Sequence, residues 1–545
     1  MKVLFVSSEI YPLAKTGGLA DVSAALPKAL AALGVDIRLV MPAYPSALRA
    51  AAAVQIPETE PDDSCATHTT QVISARLPDV DLPVWLIDNP SLFQRGGGPY
   101  QDADGRDWGD NAQRFAHLTR VAARIATGNV VRAWRADVVH CNDWHTGLLP
   151  LQLSDDGGLR PATLFTIHNL AFQGLFPEQI LSCLGLAKDL FTPDGIEFHG
   201  QVSFLKAGIR YSDRLTTVSP CYAREILTPE FGCGLEGLLS SRASKLDGIA
   251  NGIDYELWDP ATDPHLPANF SIDSMAGKPR CKTELQRELS LAPAPQTPLL
   301  IWVSRITHQK MADTILEILP TLLDRDIQLA MIGQGDVVAQ RALVNITGVN
   351  PTKMAVHIGY DEALAHRFYA AGDLLLHPSR FEPCGLVPLY AMRYGAVPIV
   401  RRVGGLLDNV APATEDTIQN KTATGFAFNE PNASALLDCI DRALAAYAQP
   451  PVWRRIQGQA MSHDSSWTAS AQHYLSLYRK LMPSCLAGAH IGESKSPPFS
   501  SMSTSPKARV PPSSFIREPS VRGRIDEVPS LAFGASRPEP EPDLE

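Results

Sequence analysis

Residues 1–41, MKVLFVSSEIYPLAKTGGLADVSAALPKALAALGVDIRLVM, decide the fold class of this chain. Residues 3–6 form a short apolar run typical of a buried strand, and residues 15–18 (KTGG) form a loop. Residues 19–33 then carry apolar side chains at helical spacing, and residues 35–41 form a second strand run. A strand, a helix and a second strand in this order predict a βαβ unit with parallel strands.

The same alternation of short apolar runs and helical stretches continues along most of the chain. Further strand runs lie at residues 84–87, 138–141, 163–167, 214–218, 299–304, 328–332, 355–358, 374–377 and 397–400. This pattern predicts two doubly wound α/β domains in series, each with a parallel sheet covered by helices on both faces. We expect Rossmann-like domains over residues 1–250 and 251–459, and a C-terminal helix over residues 460–482 that packs back on the first domain.

The last segment of the chain differs in composition from the rest. Residues 483–545 are rich in proline and serine, carry interspersed charges and contain few apolar clusters. Such a segment cannot bury enough apolar surface to offset the entropy lost on ordering, so we predict a disordered tail. A dispensable tail and a regulatory or docking tail both remain open, and we expect a chain lacking residues 484–545 to keep its activity.

Composition and charge exclude several classes of protein. The chain has 545 residues, of which 45% are hydrophobic and 19% charged, and a formal net charge of −10, which argues against a broad nucleic-acid surface. Its nine cysteines are scattered and form no CxxC pair, which favours reduced thiols over disulfides or a zinc site. The first apolar run is too short for a signal peptide, and no run approaches the ~20 apolar residues of a membrane helix. We therefore expect a cytoplasmic protein.

The loops that follow the strands are the predicted binding loops, because doubly wound sheets bind ligands beyond the carboxyl ends of their strands. The first such loop holds Lys15 and two adjacent glycines before a helix, an arrangement that suits an anion although it also occurs in ordinary turns. The first loop of the second domain holds Arg305 and Lys310. If the two domains face each other across a cleft, these three cations surround one point, which suits a diphosphate that gains charge as it leaves.

A second loop of the C-terminal domain, PSRFEPCGL at residues 378–386, follows the strand run at 374–377. Gly385 and Leu386 lie where a helix begins, so their amides are predicted to face an anion. Glu382 beside such amides makes sense if its carboxylate binds the hydroxyl groups of a neutral sugar.

Histidines and an aspartate follow two strands of the first domain. His140, Asp143, His145 and His168 are residue types that bind metals, but they lack the helical spacing of a zinc protease and have no cysteine partner at zinc spacing. We therefore predict no metal. Polar contacts to sugar hydroxyls, with Trp144 as a stacking surface, fit these residue types better.

Taken together, these motifs resemble the bacterial glycogen and starch synthases. The matching segments, in the order of that family, are residues 15–22, 137–145, 165–174, 251–254, 304–310, 379–386, 402–406 and 464–467. The resemblance covers about residues 1–482 and leaves the tail outside. It implies the GT-B architecture, two Rossmann-like domains facing across a cleft, and transfer of glucose with retention from ADP-glucose to the non-reducing end of an α-1,4-glucan, with no cofactor.

The resemblance also implies roles for individual residues. The residues expected at the diphosphate are Lys15, Gly18, Arg305, Lys310, Gly385 and Leu386. Glu382 is expected to bind the donor glucose, and His168 to lie against its reacting carbon. Tyr360 resembles the adenine-stacking tyrosine of the family. The other expected contacts are Asp143, Asn169, Asn251 and Cys384, with Asp21 as a weaker match.

Retention in this family resembles a route in which the leaving phosphate accepts the proton of the attacking hydroxyl, so that no protein base is required. Domain closure over the donor is expected with it. One residue departs from the family pattern, since Met311 stands where the family usually has glycine, and we expect a local change of the loop. Two alternatives stay open, namely a GT-B glucosyltransferase that uses UDP-glucose and a small acceptor, and an inactive glucan-binding protein.

Overall fold

The computed structural model describes residues 1–50, 56–59, 70–78, 80–154 and 160–482. Within these ranges the chain forms two doubly wound α/β halves, each built around its own sheet. The predicted fold class, two Rossmann-like domains of the GT-B type, is confirmed. The predicted tail at residues 483–545 lies outside the described residues.

The N-terminal half is built on a mainly parallel sheet. Its strands, with those of a small antiparallel sheet (β8–β10), are β1 (Lys2–Val6), β2 (Asp36–Pro42), β3 (Ile56–Thr59), β4 (Gln71–Arg76), β5 (Pro83–Asp88), β6 (Val138–Asn142), β7 (Ala162–Ile167), β8 (Leu175–Pro177), β9 (Glu197–Phe198), β10 (Gln201–Ser203), β11 (Arg214–Thr217) and β12 (Leu246–Gly248). The large sheet has the order β12-β11-β7-β6-β1-β2-β5-β4-β3, parallel from β12 to β5 and antiparallel at β4 and β3. Strand β1 is almost wholly buried because helices cover both faces of the sheet.

The helices of this half connect and cover its strands. They are α1 (Gly18–Ala32), α2 (Pro45–Ala50), α3 (Pro90–Phe93), α4 (Asn111–Ala126), α5 (Leu148–Ser154), α6 (Ile180–Leu184), α7 (Phe204–Tyr211), α8 (Pro220–Glu225) and α9 (Glu236–Ser241). The predicted first unit is confirmed as β1, α1 and β2, with boundaries shifted by one residue or two.

The C-terminal half repeats the design with a fully parallel sheet. Its strands are β13 (Leu299–Val303), β14 (Gln328–Gly333), β15 (Met354–Ile358), β16 (Leu374–His377), β17 (Val397–Arg401) and β18 (Phe426–Phe428). They lie in the order β15-β14-β13-β16-β17-β18. This is the Rossmann order 3-2-1-4-5-6, in which the direction of winding reverses between the first and fourth strands.

The helices of the C-terminal half cover both faces of its sheet and then leave it. They are α10 (Gly277–Glu288), α11 (Ala312–Leu323), α12 (Val337–Val349), α13 (Glu362–Ala371), α14 (Leu386–Arg393), α15 (Gly405–Asn409), α16 (Glu415–Gln419), α17 (Ala433–Tyr447), α18 (Pro450–Ser462) and α19 (Thr468–Leu481).

The end of the described chain returns to the N-terminal half. Tyr474 and Tyr478 of α19 are buried in the apolar core of the first sheet. The segment predicted as one helix over residues 460–482 is instead interrupted between α18 and α19. The backbone N–H of Ser466 donates to Asp464 Oδ1 at 2.9 Å, a turn that competes with helix continuation.

Two chain segments pass between the halves side by side. The backbone N–H of Ile253 donates to the carbonyl of Ser465 at 2.7 Å, and Ser470 Oγ donates to the carbonyl of Ala250 at 2.6 Å. The outgoing and returning segments are therefore tied to each other at the junction of the halves.

Candidate active site

The point where the winding reverses lies at corresponding places in the two sheets. In the first sheet β1 and β6 are neighbours, and the loops after them carry Lys15 and Asp143. In the second sheet β13 and β16 are neighbours, and the loops after them carry Lys310 and Glu382. Because ligands of doubly wound sheets bind at this reversal point, both predicted sets of loops lie where chemistry is expected.

Lys310 and Glu382 form a buried ion pair within the C-terminal half. Glu382 Oε2 also accepts from Ser379 Oγ at 2.8 Å and lies 3.1 Å from His377 Nε2. Burial alone would raise the pKa of Glu382, but the Lys310 ammonium and His377 outweigh it and hold that pKa well below its usual range. The carboxylate therefore remains ionised and fixes the position of the Lys310 charge.

Lys15 is held by carboxylates from both halves. Its ammonium lies 2.9 Å from Asp21 Oδ1 and 2.9 Å from Glu362 Oε1, and 5.8 Å from the centre of the Tyr360 ring. Burial opposes the charge of Lys15, but Asp21 and Glu362 overcome it and raise its pKa above the usual range. Lys15 is thus a fixed cation, and its loop contacts the loop that carries Tyr360.

Two glycines make room for close packing at the starts of α1 and α14, Gly18 between the halves and Gly385 within the C-terminal half. A Cβ at Gly18, the first residue of α1, would lie 3.0 Å from Leu386 Cδ1, at the first residue of α14. Gly385 has φ +82°, and a Cβ there would lie 2.7 Å from Leu406 Cδ2. The N-terminal ends of α1 and α14 therefore meet between the halves, and both bring backbone amides to this place.

Asp143 occupies a strained and buried position. Its φ is 61° and its ψ −179°, a backbone conformation that residues other than glycine rarely adopt. Burial raises the pKa of Asp143 to about 8, although backbone amides near it lower the pKa. Its Oδ1 atom is buried without a hydrogen-bond partner among the described residues. A strained residue with an unsatisfied polar atom is typical of a substrate-binding position.

His168 and Asn169 follow β7 beside this aspartate. The Nε2 atom of His168 lies 3.0 Å from Asn142 Oδ1, and burial lowers the pKa of His168 to about 3. The ring is therefore neutral at physiological pH. Asn169 Oδ1 accepts from the backbone N–H of Ala171 at 3.1 Å, a local turn that holds the loop.

The remaining predicted residues lie in the contact zone, the region where the loops of the two halves touch. Each of them has a different partner. Arg305 reaches the N-terminal half, where its guanidinium lies 5.9 Å from the ring centre of Phe172. Asn251 is buried beside Cys384, and its Oδ1 atom has no hydrogen-bond partner among the described residues, while burial raises the pKa of the Cys384 thiol to about 12. Tyr360 is 60% exposed and donates from its hydroxyl to Glu362 Oε2 at 2.8 Å.

The sugar contact predicted for His140 is wrong. His140 is fully buried and bonded to Tyr478 and Thr166. Trp144 and His145 pack on each other, with ring centres 4.0 Å apart. The ring of Trp144 also fills the space that a Cβ at Gly174 would occupy. Trp144 and His145 therefore pack on Phe115 in the N-terminal half and hold the loop that carries Asp143 in place.

Sequence reasoning missed two groups beside the predicted residues. His377 was assigned only to a buried strand, although it is the last residue of β16 and contacts Glu382. Glu9 follows β1, accepts from the backbone N–H of Thr16 and from the Tyr100 hydroxyl at 3.1 Å, and has its pKa raised to about 7 by burial. The signal for both was their position, since His377 is the last residue of a central strand and Glu9 lies in the loop that follows another.

Comparison with known proteins agrees with this geometry. Residues 2–241 match the starch synthase catalytic domain, and residues 288–455 match the glycosyl transferases of group 1. The chain is 50% identical to a glycogen synthase of Burkholderia thailandensis over 88% of this chain and 90% of that protein. The chain belongs to the glycogen and starch synthase family. It is therefore a hexosyltransferase of the glycogen synthase type with the GT-B fold, as the motifs predicted.

Other members of this family match over almost their whole length. Glycogen synthase 1 of Methylococcus capsulatus is 48% identical over 90% of this chain and 99% of its own. The catalytic domain of starch synthase IV from Arabidopsis thaliana, bound to ADP and acarbose, is 32% identical with a TM-score of 0.79, covering 88% of this chain and 99% of its own. A sucrose-phosphate synthase from Thermosynechococcus elongatus, at 17% identity and a TM-score of 0.55, shares the fold alone.

None of the helices in the described ranges combines the length and the apolar character needed to cross a membrane.

Proposed function

We propose that this chain transfers glucose from ADP-glucose to the non-reducing end of an α-1,4-glucan, with retention of configuration. The observation that carries the proposal is the placement of Lys15 and Lys310 at the reversal points of two sheets whose loops are in contact. Cations fixed before the donor arrives stabilise a leaving diphosphate without reorganisation during the reaction. The likeness to a starch synthase bound to ADP and acarbose supports the same donor and acceptor classes.

In this proposal Lys15, Arg305 and Lys310 hold the diphosphate. Lys15 then exchanges its bond to Glu362 for a phosphate oxygen, whereas Lys310 keeps Glu382 as the partner that holds its ammonium in position. Backbone amides at Gly18, Gly385 and Leu386, where α1 and α14 begin, assist these cations in binding the diphosphate.

The sugar contacts come from polar groups of both halves. Glu382 binds hydroxyl groups of the donor glucose from the C-terminal half. The carboxyl group of Asp143, which has an unsatisfied oxygen, binds a sugar hydroxyl from the N-terminal half. His168 lies against the reacting carbon as a neutral ring, and Asn169 lies beside it. Tyr360 stacks on the adenine, and Asn251 with Cys384 closes the pocket where the halves join.

The chemical step needs no protein nucleophile in this proposal. The acceptor hydroxyl attacks the anomeric carbon from the face that the phosphate leaves, the bond from that carbon to the phosphate oxygen breaks, and the proton passes to the same leaving oxygen. The protein positions both substrates and stabilises the charge on the departing diphosphate. Glu382 is ill suited to act as a base. Burial raises its pKa, but the neighbouring Lys310 outweighs burial and holds that pKa well below the usual range.

A donor assay tests the proposal. Transfer of labelled glucose to glycogen is measured with ADP-glucose and with UDP-glucose, and the product is digested with an enzyme specific for α-1,4 linkages. We expect transfer from ADP-glucose to exceed transfer from UDP-glucose, and full release of the label on digestion. Preference for UDP-glucose with a small acceptor would favour the other GT-B activity, and no transfer at saturating donor would favour an inactive glucan-binding protein.

We further propose that the enzyme acts in the cytoplasm. The described cysteines are all free, including the exposed Cys183 and Cys233, as expected of a protein kept in a reducing compartment. Fractionation of the native cells with an activity assay tests this, and activity outside the cytoplasmic fraction would contradict it.

A further inference from the structure

Helices α8 and α15 belong to opposite halves and bind each other through reciprocal hydrogen bonds. The backbone N–H of Gly404, just before α15, donates to Glu225 Oε1 at 2.8 Å. The backbone N–H of Cys221, in α8, donates to Asp408 Oδ2 at 2.9 Å. Each half therefore supplies one carboxylate to the backbone of the other.

The segment whose backbone binds Glu225, residues 404–409, also makes hydrogen bonds to the loop that carries Glu382. The backbone N–H of Gly405 donates to the carbonyl of Glu382 at 2.9 Å, and Asn409 Nδ2 donates to the carbonyl of Cys384 at 2.7 Å. Gly404 has φ +49°, and a Cβ at this residue would lie 2.0 Å from the Glu382 carbonyl oxygen. Gly404 therefore contacts the Glu382 backbone directly, with no side chain between them to absorb a shift.

The carboxylate of Glu225 is poorly satisfied apart from this bond. Its Oε2 atom is buried without a hydrogen-bond partner in the part of the chain that the structure describes. Burial raises the pKa of Glu225, although the Gly404 amide and the nearby Arg401 lower it. Because desolvation of the carboxylate opposes the charge-assisted bond to Gly404, the bond is suited to forming when the halves meet and breaking when they part.

We propose that Glu225 is a positioning residue, which couples the approach of the halves to the placement of the Glu382 loop through Gly404 and Gly405. The proposal rests on the proposed transferase function. Glu225 need not touch either substrate, and it acts through the backbone that presents Glu382 and the Gly385 amide. Contact of the halves at α8 and α15 then fixes the sugar-binding loop at the same time as Lys15 completes the diphosphate site.

The test compares three variants of Glu225 in the full chain. The Glu225→Ala variant loses the acceptor, Glu225→Asp keeps the charge but shortens the reach, and Glu225→Gln keeps an acceptor oxygen at the same length. We expect Ala and Asp to lower kcat for transfer from ADP-glucose to glycogen about 10- to 100-fold, with KM changed less than about threefold. Glu225→Gln should return kcat to within about fivefold of wild type. The exposed Glu230, changed to Gln, is the matched control and should leave kcat unchanged.

Amide hydrogen exchange in the same proteins gives a readout that needs no catalysis. In the Ala variant the peptides covering residues 402–409 and 380–386 should exchange faster, while the peptide covering β6 should not change; the Gln variant should resemble wild type. Wild-type kcat in the Ala and Asp variants, or faster exchange confined to residues 402–409, would overturn the proposal. If the wild type transfers no glucose from ADP-glucose, the proposed function fails, and the exchange pattern still decides whether Glu225 controls the Glu382 loop.

Discussion

The ammonium of Lys15 lies 2.9 Å from the carboxylate of Glu362, although 347 residues separate them in the chain. Glu362 also accepts from the Tyr360 hydroxyl at 2.8 Å. The first binding loop of the N-terminal half and the loop after β15 therefore share one carboxylate. A donor diphosphate that binds Lys15 must compete with Glu362, so donor binding and the contact between the halves are linked.

Loss of the Lys310 charge should damage both catalysis and stability. We expect Lys310→Ala to lower kcat about 10²- to 10³-fold, because a fixed charge facing the leaving diphosphate is removed. The free energy of unfolding should fall by about 3 kcal/mol, since Glu382 is left buried without its cation. Steady-state kinetics and urea unfolding check this, with the exposed Arg454→Ala as the control. Wild-type turnover in Lys310→Ala would remove the assigned role.

Tyr360 should contribute to donor affinity rather than to turnover. Its ring is exposed beside Lys15, where a base can stack on it. We expect Tyr360→Ala to raise KM for ADP-glucose about 10-fold, because base stacking on an aromatic ring contributes ~1–3 kcal/mol. Tyr360→Phe keeps the ring and should stay within about threefold of wild type. Equal effects of the two substitutions would show that the hydroxyl bond to Glu362, not stacking, is what matters.

The raised pKa of Asp143 should make stability depend on pH. Its pKa is about 8 in the folded protein against an ordinary 3.8, so the native state holds a proton that the unfolded chain releases. The contribution of Asp143 to stability is full below about pH 4 and is lost as pH rises through about 8. We therefore expect Asp143→Asn to be more stable than wild type, with a free energy of unfolding about 2 kcal/mol higher at pH 9. The difference should be smaller at pH 5.

Urea unfolding at both pH values measures this difference, and transfer assays should show that Asp143→Asn is less active than wild type. A stability difference of the same size at pH 5 and pH 9 would mean that Asp143 does not titrate in this range.

Met311 has two opposing effects on stability. Its backbone conformation is strained, whereas its buried side chain is stabilising. The residue has φ 54° and ψ 38°, which costs a non-glycine residue about 1–2 kcal/mol, and its side chain is fully buried. Removing a buried Met side chain costs about 2–5 kcal/mol, so burial outweighs the relief of strain. We expect Met311→Gly to lower the free energy of unfolding by about 1–3 kcal/mol with little change in kcat. A more stable glycine variant would show that strain dominates.

The predictable parts of this protein are those encoded locally. The first βαβ unit follows from apolar spacing within 41 residues, and the binding loops follow from their place after strands. Strand order does not follow, because nothing in the periodicity of β6 or β16 states that they pair with β1 and β13. The contact zone could therefore be inferred from the resemblance but not constructed from spacing.

The errors at the site have the same physical origin. The sequence favours sugar contacts for His140 because polar residues continue from it to His145, yet His140 lies within β6 and its ring bonds the Tyr478 hydroxyl in the core. The partner of Lys310 was also missed, since the Lys310–Glu382 pair depends on two loops that meet only after the sheet has formed. The division of the chain at residue 250 stays a prediction.

The measurement that tests the central claim most directly is a crystal structure of this chain with ADP-glucose or ADP bound. We predict that Lys15, Arg305 and Lys310 all lie within hydrogen-bond distance, roughly 3 Å, of oxygens of the same pyrophosphate. Lys15 should have left Glu362 in that structure. A diphosphate bound by one half alone, with Lys15 still paired to Glu362, would contradict the account.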